Sequence, residues 1–90
     1  MDKPQLQRLL DAEIKAWAAK PYQQLLEELS DVEAYERGEG ETFHQFEVQI
    51  VERAEACLHV WVSIDDGGLS RSFAPLTRGF FAYRDGRVEL

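Results

Sequence analysis

The residues of this chain with the richest chemistry are His44, His59, Cys57 and Arg71. An imidazole carries protons near neutral pH or holds a metal, a thiolate is a nucleophile, and a guanidinium grips a carboxylate or phosphate with two hydrogen bonds. Each needs a partner at the right spacing. His44 has the parity of Phe46 and Val48, and His59 that of Trp61, so the two imidazoles point to opposite faces of a sheet. One metal cannot be held by both within a monomer, and none is expected. Cys57 and His59 point the same way but lie two residues apart, about 6.5 to 7 Å along a strand, too far for a thiol–imidazole bond. The dinucleotide, phosphate-loop, zinc-protease, dithiol and serine-hydrolase motifs do not occur, so neither a cofactor nor a classical enzyme is expected. An enzyme built on His44 or His59 is the third-ranked reading.

Arg71 belongs to "SIDDGGLSRSF", residues 63 to 73, which reads as a turn or as the lip of an anion or metal site. A calcium loop would need oxygen ligands at alternating positions, where Leu69 and Arg71 stand. A two-residue turn at Asp66-Gly67 pairs Ile64 with Leu69 and Val60 with Phe73, apolar against apolar, with the acids capping backbone amides. Arg71 then falls opposite Val62. If the next turn centres on Thr77, Arg71 also meets Tyr83. It is either an edge residue with its head in water, a partner for Glu13, or the anchor of a pocket with Tyr83 and Trp17 for a small anionic ligand.

The elements that position these residues follow from hydrophobic period. Leu6, Leu9, Leu10, Ile14 and Trp17 make a helical stripe behind an Asp2 cap, and "AAKP" ends it at Pro21. A shorter helix, "PYQQLLEELS", carries Tyr22, Leu25, Leu26 and Leu29. From Asp31 the period falls to two. A short strand precedes a glycine-bearing turn at 38–41 and a long strand with Phe46, Val48 and Ile50 on one face. "CLHVWVSI" sets Leu58, Val60, Val62 and Ile64 against Cys57, His59, Trp61 and Ser63. Asp-Gly in "RDGR" marks a final hairpin. A three-residue loop at Arg53 to Glu55 would pair Ile50 with Leu58, Val48 with Val60 and Phe46 with Val62.

The expected fold is therefore α+β. One long and one short N-terminal helix (residues 1–30) pack on one face of a twisted antiparallel meander of five or six strands (residues 31–90), as a single domain. In element order this layout is similar to the helix-plus-coiled-sheet architecture of cystatin-like domains. That is a likeness of layout, to which no residue or activity is attached.

Ninety residues suffice for one core, and a 44% hydrophobic, 30% charged composition is that of a globular chain. The net charge of −7 opposes binding to nucleic acid and to anionic membranes, so neither is an expected partner. It is unevenly placed: residues 27–41 hold seven acids against Arg37 alone, and residues 67–90 hold four arginines against two acids. No apolar run reaches membrane-span length, the first residues lack the apolar stretch of a signal peptide, and the single cysteine makes no internal disulfide. A cytoplasmic location is expected. Two helices cover only one sheet face, and the second is expected to expose Val51, Cys57, Trp61 and Phe80. Exposed apolar patches mark interfaces. The leading expectation is thus a non-enzymatic homodimer acting through that face, itself the partner, with another protein or a small anionic ligand as further options.

Overall fold

A computed structural model describes residues 1–67 and 75–90. Helix α1, Lys3–Ala18, starts where the Asp2 side chain accepts from the Gln5 amide at 2.9 Å and Gln5 Oε1 accepts from the Asp2 amide at 3.0 Å. This reciprocal cap satisfies two amides at the helix start that lack intrahelical partners. Pro21 separates it from α2, Tyr22–Glu28. Five strands follow: β1 (Glu33–Arg37), β2 (His44–Arg53), β3 (Cys57–Asp65), β4 (Leu76–Tyr83) and β5 (Val88–Glu89). They form one antiparallel sheet in the order β1-β2-β3-β4-β5, the expected meander.

The core gathers the helical stripe and one sheet face. Leu6, Leu10, Ile14, Trp17, Leu25 and Leu29 pack with Phe46, Val48, Leu58, Val60, Val62, Ile64, Phe80 and Ala82. Every sheet residue in that cluster is even-numbered, as the pleat requires of one face. Arg78 of β4 reaches over this face to Asp11 of α1 and ties the two layers together.

Two registers differ from expectation. β2 and β3 pair as Phe46 with Ile64, Val48 with Val62 and Ile50 with Val60, two residues from the expected alignment. The turn comprises Ala54 to Ala56, closed by the Ala54 amide on Cys57 O at 2.9 Å. A bulge between Ile50 and Glu52 absorbs the extra residue, Val51. Up to the bulge, a shift of two leaves every side chain on its expected face, so apolar matching alone could not detect it; beyond it Glu52 stands beside His59 and Arg53 beside Leu58.

The second difference moves side chains. Ile64 pairs with Leu76, Val60 with Phe80 and His59 with Phe81, so β3 takes 76–83 as its neighbour and not a strand starting at Leu69. Leu69, Ser70, Arg71, Ser72 and Phe73, with the pairings proposed for them, lie outside the described residues. Of the two acids, Asp65 caps a local amide, its Oδ1 accepting from the Gly67 amide at 2.9 Å, while Asp66 pairs with the Met1 ammonium at 3.2 Å. Because the expected chain of pairings carried the opposite parity, the inward and outward members of the Phe80-Phe81 pair exchange. An arginine does stand opposite Val62, but it is Arg78.

The final hairpin forms at Asp85-Gly86. Gly86 takes φ +95°, which side-chain-bearing residues avoid, and Tyr83 N–H donates to Arg87 O at 2.9 Å.

Candidate functional site: the open sheet face

The face turned away from the helices is built from the odd positions of β3 and β4. Across these two strands Cys57 stands beside Tyr83, His59 beside Phe81, Trp61 beside Gly79 and Ser63 beside Thr77. His59 stacks on Phe81 with ring centroids 4.2 Å apart and planes at 14°. Trp61 meets His59 edge-on at 6.1 Å, and its Nε1–H donates to His59 Nε2 at 3.3 Å. In that bond Nε2 of the imidazole is the acceptor.

Gly79 makes room for this arrangement. A Cβ there would come within 2.9 Å of both His59 Nε2 and Trp61 Cδ1, so the rings lie across bare backbone. The result is a fixed aromatic row in which Trp61 remains 42% exposed. Val51, at the bulge, is 38% exposed. At the far end Arg87 sits over the Tyr83 ring at 4.4 Å, and the Tyr83 hydroxyl donates to Glu89 at 3.0 Å. That bond, before burial, raises the Tyr83 pKa. Toward β2 the row is bordered by Gln49 beside Trp61 and Glu47 beside Ser63.

Of the residues expected at an interface, Val51, Cys57 and Trp61 reach this face or its edge. Phe80 does not: it is 0% exposed, deep in the core against the helices, and its outward place belongs to Phe81. Sequence reasoning missed Phe81 and Gly79. In "RGFFAY" adjacent phenylalanines fit either parity, and only the identity of the neighbouring strand decides between them.

Two members of the expected anion pocket, Trp17 and Tyr83, are not brought together. Trp17 is 5% exposed in the core under the helices and donates to the Tyr35 hydroxyl at 2.8 Å, while Tyr83 faces the other side of the sheet. Arg71, its third member, lies outside the described residues. Glu13, considered as its partner, binds Arg37 Nη1 and the Tyr35 hydroxyl, each at 2.5 Å. The histidines occupy opposite faces, His44 inward and His59 outward. Among the described residues no three His, Cys, Asp or Glu side chains are grouped to hold a metal ion. Nor, among them, is any helix long and apolar enough to cross a membrane. Comparison of the chain with protein-family models, curated proteins and solved structures finds no match.

Proposed function

We propose that this protein is a non-enzymatic interaction domain whose open sheet face binds a second copy of itself. The observation that carries the reading is Trp61, 42% exposed and held over Gly79 by its bond to His59. A large aromatic fixed on a flat face gains contact area on binding while losing little conformational freedom, which is why tryptophan dominates interface energetics. Area supports a copy as the occupant. The residues of the five strands, at ~4.8 Å spacing and ~3.3 Å rise, give roughly 540 Å² of face, so a symmetric pair removes about 1,100 Å², just above the ~1,000 Å² that a biological interface should clear. A twofold pairing would set Trp61, His59 and Phe81 of one protomer against the same row of its partner.

A cytoplasmic setting belongs to the same proposal. The free thiol of Cys57 lies beside Tyr83 on the face to be covered, and a reducing compartment spares it before assembly.

Light scattering of Trp61→Glu tests the reading. The wild type should have the mass of a dimer and the variant that of a monomer with an unchanged circular dichroism spectrum. A dimeric Trp61→Glu protein would place the contact elsewhere on the molecule.

A further inference from the structure

On the helix-covered side, a separate open groove of about 700 Å³ runs between the first turns of α1 and the start of β2. It is within the usual range for small-molecule sites. His44 lines it while only 7% exposed. Its Nδ1 lies 2.8 Å from Thr42 O, and a carbonyl only accepts, so Nδ1 is the donor and Nε2 remains for another partner. No partner reaches Nε2 among the described residues, and no fully enclosed side-chain polar atom there lacks one, so this nitrogen is not sealed from solvent, and His44 forms part of the groove wall.

The remaining walls define what would meet it. Arg8 and Glu41 flank the groove with opposite charges, and neither makes an ion pair among the described residues. Leu9 supplies an apolar wall, and Gln5, whose Oε1 is occupied by the Asp2 amide, keeps its NH2 donors. We infer that this groove binds a zwitterionic α-amino acid with an aliphatic side chain. Arg8 takes the carboxylate, Glu41 and His44 Nε2 take ammonium protons, and Leu9 packs the side chain. A simple anion would leave Glu41 repelling it, and a simple cation would leave Arg8 doing so. The inference is independent of the sheet-face proposal, because the groove lies on the other side of the sheet.

The test is an NMR titration of the full chain with L-leucine, 4-methylpentanoate and isopentylamine, following the His44 ring and the backbone amides. Leucine should shift His44 and its surroundings saturably, and each truncated probe should bind at least tenfold more weakly. Arg8→Gln and Glu41→Gln are surface changes that leave the core intact, and each should weaken leucine binding at least tenfold. His44→Phe should abolish the ammonium preference; if it fails to fold, the Arg8 and Glu41 pair decides. Absence of saturable shifts with leucine overturns the inference. So does equal binding of all three probes, or binding unaffected by both surface changes.

Discussion

Glu13 is 6% exposed on α1, and the polar groups around it converge on its carboxylate. The Tyr35 hydroxyl and Arg37 donate to it, and Trp17 Nε1 donates in turn to the Tyr35 oxygen at 2.8 Å. Both donors to the carboxylate come from β1, whose other residues are exposed, so one buried acid fastens an edge strand to the first helix. Tyr35→Phe removes one bond to a charged group and leaves Trp17 without its acceptor. The expected loss is about 1.5 to 3 kcal/mol by urea denaturation. The tyrosine also carries a pH signature. Burial, and then its bond to Glu13, push its pKa far above the ordinary value. A raised folded-state pKa means stability that is present below about pH 10 and lost as the pH rises past it. Tyr35→Phe should therefore flatten the alkaline limb of the stability profile; an unchanged limb would show that the hydroxyl is not held as described. None of this network was legible beyond Glu13 itself. Its partners lie 22 and 24 residues away on a strand whose register no local pattern fixes.

At the scale of elements, helices and strand faces were legible because each has a period. The α1 stripe, the Asp2 cap, the even-numbered core of β2 and β3 and the Asp-Gly hairpin follow from spacing alone. What period cannot supply is which strand comes next. The match of Ile64 with Leu69 was as good, residue for residue, as its actual match with Leu76, and choosing the shorter loop reversed the faces of β4. The corrected faces have measurable consequences. Phe80→Ala empties a fully buried site on β4, which packs against α1 and β3, and should cost about 3 to 5 kcal/mol. Phe81→Ala removes a partly exposed ring from the other side and should cost the monomer less than about 1 kcal/mol. Equal losses would mean that both rings are core. The bulge at Val51 escaped notice for a different reason: an extra residue in one strand leaves the alternation on either side of it intact.

For the whole molecule, charge and apolar surface pull in opposite directions. Each chain carries −7, so two copies repel, and the aromatic row on the open face must outweigh that repulsion for them to pair. Added salt screens repulsion between like-charged chains without weakening apolar contact, so it should tighten a homodimer. It would loosen a complex with a basic protein. The location of this face could be read from composition and parity, because one long and one short helix cannot cover both sides of a five-stranded sheet. Its detailed surface could not, since the Gly79 gap and the His59–Phe81 stack depend on which strand lies beside β3. Sedimentation equilibrium of the wild-type chain at micromolar concentration, in low salt and again in half-molar salt, tests the central claim most directly. The account predicts a monomer–dimer equilibrium that shifts toward the dimer in high salt. A single 10.4 kDa species at both salt concentrations would contradict it.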